Sequence, residues 1–289
     1  MTVDVEDYFQ VAAFEKCISR EDWPRWPVRV EGNTRRVLEL FERHGVHATF
    51  FVLGWVAQRF PALVRDIGAA GHEIASHGFG HERLTTIRRR EFRNGITRTK
   101  HLLEDISGGE VKGYRAPSYS IDPDTLWAYE ELREAGYRYS SSIVPIHHDL
   151  YGMPDAPRFA FVAEGSGLLE IPVTTVRFGG RNWPCGGGGY FRLLPYALFR
   201  LGLRRVNRRE HRPGVFYFHP WEVDPGQPRV PGVALKNRVR HYLNLTRTMP
   251  RLERLLRDFR FDRMDRLFFA AAPDRYPVVA LRPAALCVH

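Results

Sequence analysis

Short apolar runs and longer amphipathic stretches take turns along the N-terminal half of the chain. Positions 1–5, 47–53, 73–76, 111–115 and 137–141 are compact and rich in β-branched and aromatic residues, which suits buried strands. Between them, 34–44, 56–70, 86–106 and 124–135 carry apolar side chains at helical spacing. Asn33 can cap the first of these helices and Gly45 can end it, while Pro61 divides the second into two parts. Strand and helix alternating in this way predict repeated β-α units around a mostly parallel sheet, an α/β fold. From 146 to 189 the pattern gives way to Gly, Pro and aromatics, including Gly186 to Gly189, and predicts long loops with a flexible turn. A helix over 195–206, a strand over 215–219 and a helical remainder complete one predicted domain, residues 1–270, leaving 271–289 as a C-terminal tail.

With 44% hydrophobic residues in 289, the chain can bury the core of such a domain. A net charge of +10 favours an acidic partner, whether anionic polymer, nucleic acid or membrane surface. No helix-turn-helix, zinc-finger or RNP pattern supports nucleic acid, and no apolar run approaches the ~18 residues of an integral membrane segment. The opening MTVDVEDYFQ lacks the basic and apolar regions of a signal peptide, and Cys17, Cys185 and Cys287 are scattered, without C-x-x-C spacing. The expectation is therefore a cytoplasmic protein in a reducing compartment, with peripheral membrane association left open.

Reactive residues gather where the predicted strands end. The first strand ends in Asp4, Glu6 and Asp7; the third leads into His77 and His81; the fourth ends in Arg115; the last ends in His219. In α/β folds that edge of the sheet carries function. An i, i+4 histidine pair is a weak signal alone, but here it follows a strand, is interleaved with Gly78 and Gly80, and needs one carboxylate to complete a metal-binding triad. A helical turn would put both imidazoles on one side. If the first strand continues, Asp4 and Glu6 face the same way, so one acid could bind the ion while the other serves as general base. Either Glu6 or Asp7 could supply the ligand.

In order along the chain, these residues resemble the motifs of the carbohydrate esterase family 4 polysaccharide deacetylases, which share the NodB homology domain. The T-F-D-D motif is similar to Thr2-Val3-Asp4-Val5-Glu6-Asp7, H-x-x-x-H to His77 through His81, and R-x-P-Y to Arg115-Ala116-Pro117-Ser118-Tyr119. An Asp-Ser groove wall is approximated by Tyr139-Ser140-Ser141-Ser142, with Ser140 in place of Asp, and L-x-I-H by Phe216-Tyr217-Phe218-His219. The resemblance implies a distorted (β/α) barrel of the NodB type, mostly parallel. It implies Asp4 as catalytic base, Arg115 as its orienting partner and His219 as general acid. His77 and His81 would bind one divalent metal ion, zinc or else cobalt or another divalent, together with Glu6 or Asp7; Glu6 is favoured because related branches keep an acid two residues after the base. Pro117, Ser118 and Tyr119 would meet substrate, an N-acetylated polysaccharide or oligosaccharide, and Trp183, beside Pro184 and the glycine run, is the aromatic most readily set against a sugar ring. The wording DVEDYFQV and FHPWE is most similar to a branch associated with bacterial exopolysaccharide clusters, where a lipid-linked precursor is a further candidate substrate. Two rivals stand beside this reading: a cytosolic hydrolase of a small cyclic amide or ureide, which calls for a closed pocket, and a non-catalytic carbohydrate-binding module, which an intact catalytic set argues against. The oligomeric state is not legible.

Overall fold

A computed structural model describes residues 1–149, 151–269 and 275–281. Five parallel strands, β1 (Thr2–Val5), β2 (Thr49–Val52), β3 (Glu73–Ser76), β4 (Gly113–Tyr114) and β5 (Tyr139–Ser140), lie side by side in sequence order. Beyond β5 come β7 (Leu169–Glu170), parallel to it, then β6 (Phe161–Ala163), antiparallel to β7. At the other side β10 (Tyr217–Phe218) pairs in parallel with β1. The curve closes without a full ladder: Thr174 N–H donates to Val215 O at 3.2 Å and Tyr217 N–H to Gly186 O at 2.7 Å, joining the chain after β7 to the β10 side. The α/β fold with a mostly parallel sheet is as expected.

The crossovers are helical: α1 (Val30–Arg43), α2 (Gly54–Arg59), α3 (Pro61–Ala69), α4 (Arg89–Ser107) and α5 (Ala128–Glu134). Alternation along each strand sorts side chains into two cores. Val3, Val5, Phe50 and Val52 face outward and are buried with Val37, Phe41, Val56 and Leu63 of the helices. Inward, Phe51, Ala75, Tyr139 and Ile171 fill the centre of the ring. Thr2 and Asp4 share the parity of the inward set, so the acid of β1 stands above a filled core rather than in it.

Several boundaries depart from the sequence reading. The strands are shorter than expected, two residues each for β4 and β5, because the ladder ends where the chain must turn toward the site. Helix α1 begins at Val30, and Asn33 lies inside it; the cap comes from a distant residue, Asp7, whose Oδ2 accepts from Arg29 N–H at 2.6 Å and Val30 N–H at 2.8 Å. The supposed loop region holds β6, β7 and an antiparallel hairpin, β8 (Thr175–Phe178) with β9 (Arg181–Pro184). The glycine run is not a flexible turn. Gly187 caps α6 (Gly188–Leu193), and a Cβ on Gly186 would lie 2.6 Å from Val215 O, so the run is packed against the β10 side. Helices α7 (Tyr196–Arg208), α8 (Leu235–Tyr242), α9 (Thr248–Asp258) and α10 (Met264–Phe269) follow. Part of the predicted tail is structured, since β11 (Val278–Val279) adds a parallel edge strand beside β6; residues 271–274 and 282–289 of that tail lie outside the described residues.

Candidate metal centre and catalytic cleft

Glu6, His77 and His81 present a carboxylate oxygen and two imidazole nitrogens within 4.8 Å of one another, all three side chains buried. Glu6 Oε2 lies 2.9 Å from His81 Nε2, yet no hydrogen bond satisfies that oxygen. A buried carboxylate oxygen facing an imidazole nitrogen off the hydrogen-bonding direction is a costly arrangement unless a cation takes both lone pairs. One oxygen and two nitrogen donors match the preference of zinc and similar divalent ions, so the residues present fit such an ion. His77 Nδ1 meets Arg115 O at 2.8 Å, which places the proton on Nδ1 and leaves Nε2 free to ligate. Burial pulls the His77 pKa down to about 4, keeping the ring neutral.

The two histidines are joined by a loop, not the helical turn expected. His81 itself adopts φ 55°, a left-handed conformation unusual for a non-glycine residue, and Gly78 stands at φ 73°. Arg20 steadies this bend, donating from Nε to Gly80 O at 2.6 Å and from Nη2 to His81 O at 3.1 Å. Nothing in the sequence spacing marks Arg20 for that task.

Asp4 sits beside the triad with one oxygen engaged. Arg115 Nη1 donates to Asp4 Oδ1 at 2.6 Å, and Arg115, wholly buried, also donates to Thr2 Oγ1, Ser141 O and Ser141 Oγ. Asp4 Oδ2 is left facing His219, whose Nε2 stands 3.9 Å away and 3.5 Å from Glu6 Oε1. Asp7, the alternative ligand, is turned elsewhere: both its oxygens accept backbone N–H groups, from Tyr8 and from the start of α1. Burial nonetheless raises its pKa to about 6.

A further carboxylate governs His219. Glu222 Oε1 accepts from His219 N–H at 3.1 Å and lies 2.8 Å from His219 Nδ1, while Glu222 Oε2 accepts from Arg192 Nε at 2.7 Å. Arg192 is buried and anchored to His241 O and Leu243 O. Burial works against the charge on His219, but the carboxylates of Glu6, Glu222 and Asp4 outweigh it and lift the imidazolium to about 9. Burial likewise opposes ionisation of Glu222, and Arg192 with His219 overcomes it, holding the acid near 2. Trp221 stacks on His219 with centroids 5.1 Å apart and donates from Nε1 to Glu6 Oε1 at 3.3 Å. Sequence reasoning assigned no part to Glu222, although its place three residues after His219, across Pro220, is the spacing of a capping pair.

Asp4, Glu6, His77, His81 and His219 line a cavity of about 530 Å³ walled by Ser118, Tyr119, Tyr151, Tyr217 and Trp221, while the buried Arg115 and Glu222 stand outside the lining. Its mouth is edged by exposed Lys16, Ala234 and Arg240, so it opens to solvent. Ser118 and Tyr119 both take positive φ, a strained turn that swings them to the cavity. Pro117 packs near Gly78 outside the lining, and Trp183 is away from the cavity, 54% exposed on β9. The sequence placed Trp183 against sugar; the structure puts it on a hairpin outside the cavity lining.

The polysaccharide deacetylase family model matches residues 20–140, and that of a domain of unknown function, DUF3473, matches residues 141–269. A peptidoglycan-N-acetylglucosamine deacetylase of Bacillus cereus is 36% identical over 99 residues, 34% of this chain and 36% of that protein. The deacetylase PgdA of Listeria monocytogenes is 39% identical over 89 residues, 31% of this chain and 19% of its own. These matches thus span about a third or less of the relatives' length. A solved Mycobacterium smegmatis structure assigned to the polysaccharide deacetylases aligns over 99% of this chain and 93% of its own at TM-score 0.64 and 20% identity, which establishes a shared fold. The cleft draws on both matched segments, with His77, His81 and Arg115 in the first and His219 and Glu222 in the second. Residues 20–140 thus match the polysaccharide deacetylase family model and residues 141–269 that of DUF3473, on a fold shared with a solved structure assigned to the polysaccharide deacetylases.

Proposed function

We propose that the chain is a metal-dependent hydrolase that removes N-acetyl groups from a polysaccharide or its lipid-linked precursor, with residues 1–270 acting as one catalytic unit. The observation that carries this reading is the convergence, on one cavity, of a buried Glu6–His77–His81 triad with Asp4 and His219, each of the last two held by a buried partner, Arg115 and Glu222. A divalent ion held by the triad, zinc or a similar metal, would polarise the acetyl carbonyl and acidify water.

The chain's own residues supply the proton traffic. Arg115 engages Asp4 Oδ1, leaving Oδ2 to take the proton of the attacking water. His219, charged and oriented by Glu222, gives a proton from Nε2 to the departing amine. The Tyr119 N–H is spent on Ala116 O at 3.0 Å, so we assign the backbone contact to the developing oxyanion to Ser118 N–H. Tyr119, Tyr151, Tyr217 and Trp221 offer aromatic faces for sugar rings. An open mouth suits an extended chain better than a small cyclic amide, and the complete proton-transfer set argues against a non-catalytic binder. The chemistry fits a place in exopolysaccharide assembly, on the cytoplasmic side, at the lipid-linked stage.

Acetate release from a panel of N-acetylated oligosaccharides, with metal content measured in the same preparation, tests the reading. Activity on cyclic ureides and none on acetylated saccharides would move it to the small-molecule rival.

A further inference from the structure

Nine large apolar side chains stand exposed among the described residues, and seven belong to four neighbouring elements: Phe178 and Trp183 on the β8–β9 hairpin, Leu193 on α6, Leu198 and Leu201 on α7, Leu235 and Val239 on α8. The elements adjoin. A Cβ on Gly202 of α7 would lie 3.7 Å from Val176, which shares its hairpin face with its cross-strand partner Trp183 and with Phe178 two residues on. Leu198 is one helical turn from Gly202. Arg192 of α6 holds His241 O in α8, and the 145–149 loop spans the remainder, taking Asn182 Nδ2 on Pro145 O and Lys236 Nζ on Asp149.

The four elements themselves carry only positive charge; the acids that meet them, Asp149 on Lys236 and Arg240 and Asp258 on Arg200 and Arg204, come from other segments. From Glu170 to Glu210 the chain has eight arginines and no intervening acid; from Asp224 to Glu253 it has six Lys or Arg and again no intervening acid. Arg177, Arg181, Arg205, Arg208 and Arg238 are exposed and make no ion pair among the described residues. A second copy of the chain would bring the same positive charge and be repelled. A soluble polyanion would satisfy the arginines but leave Phe178, Trp183 and the leucines in water. An anionic lipid surface satisfies both, with headgroups for the arginines and the acyl boundary for the apolar side chains.

We propose that the hairpin and α6, α7 and α8 together form a docking face for an anionic lipid bilayer. The face adjoins the cleft, because Asn237 and Arg240 of α8 line the cavity mouth. No helix among the described residues is long and apolar enough to cross a membrane, so attachment would be peripheral. The inference goes beyond the deacetylase reading, and its test reads binding rather than turnover.

The full chain is sedimented with vesicles of phosphatidylcholine mixed with phosphatidylglycerol, and with phosphatidylcholine alone. Binding is expected to the mixed vesicles, to weaken with salt, and to shift Trp183 fluorescence to the blue. Arg177→Glu with Arg181→Glu should weaken it by more than roughly 25-fold, about fivefold for each charge removed. Phe178→Ser with Trp183→Ser should weaken it by roughly tenfold while leaving the thermal transition in place, because both side chains are already in water. Failure to bind mixed vesicles overturns the proposal. So does equal binding to both vesicle types, parent-like binding by the serine variant, or a concentration-dependent dimer that buries Trp183.

Discussion

Replacing Glu222 by Gln isolates what the acid does for His219. The carboxylate serves three donors at once, His219 Nδ1–H and His219 N–H through Oε1 and Arg192 Nε–H through Oε2. An amide has one oxygen and one NH2, so Gln can accept on only one of these two sides. Arg192 is buried, and leaving it unpaired costs several kcal/mol, so the oxygen should turn to Arg192 and the NH2 to His219. His219 must then present a lone pair at Nδ1, stays neutral with its proton on Nε2, and becomes a far weaker acid. General acid catalysis is worth roughly 10²- to 10⁴-fold, so kcat should fall by about 10²-fold or more, with KM and bound metal near parent values. The alkaline limb should move too. In the parent, His219 stays protonated up to about 9, a limit that a cation at Glu6 would lower, and activity should be lost as pH rises through that value; in Glu222→Gln the limb should shift to lower pH. The assay is acetate release across pH, with metal content and thermal unfolding on the same protein. A folded, metal-loaded Glu222→Gln with kcat within threefold of parent and an unmoved alkaline limb would refute the role.

Gly188→Ala should reproduce much of that loss without touching a polar group, because its Cβ would collide with the Glu222 carboxylate; parent-like kcat would show that Glu222 has room to move. Glu6→Ala should abolish tight metal binding, whereas Asp7→Ala should leave it and instead lower stability by about 1–3 kcal/mol through the lost cap on α1, as compared by metal titration and denaturant unfolding; the reverse ranking would make Asp7 the ligand. At the base of the ring, burial, helped by Asp265, raises Glu73 to about 7 from an ordinary 4.5. The folded state therefore keeps a proton the unfolded state has released, so this group's stabilisation is full below about pH 4.5 and is lost as pH rises through about 7, roughly 3 kcal/mol in all. Glu73→Gln should flatten that decline, and an unchanged slope of stability between pH 5 and 8 would contradict it.

Local rules reached far in this chain. The strand-end positions of Asp4, His77 and His219 led to one cavity; Glu6 lines it too, but it lies past the end of β1 with its N–H turned onto Asp4 O at 3.0 Å, so alternation along the strand does not account for it. What stayed hidden depends on contacts between distant segments. The Asp7 cap on α1 joins residues 22 apart and could not compete, on sequence signals, with the nearby Asn33. The glycine run looked like a turn because its reason, room for Glu222 and the β10 side, is visible only in three dimensions. Trp183 lies outside the cavity for a similar cause: its neighbours Pro184 and glycine gave no sign of the antiparallel hairpin that carries it. The left-handed turn at Ser118 and Tyr119 has no local glycine to announce it.

The division of labour between Asp4 and the triad is tested most directly by paired metal content and acetate-release rate for Asp4→Asn and His77→Ala. Asp4 contacts Arg115 and belongs to no ligand set, so its amide should retain the ion and fold while turnover falls by roughly 10²-fold or more. His77→Ala removes one of three ligands and should lose ion and activity together, with a chelator doing the same to the parent and zinc or cobalt reversing it. A metal-free Asp4→Asn would make Asp4 a ligand, and full activity in a metal-free parent would contradict the mechanism altogether.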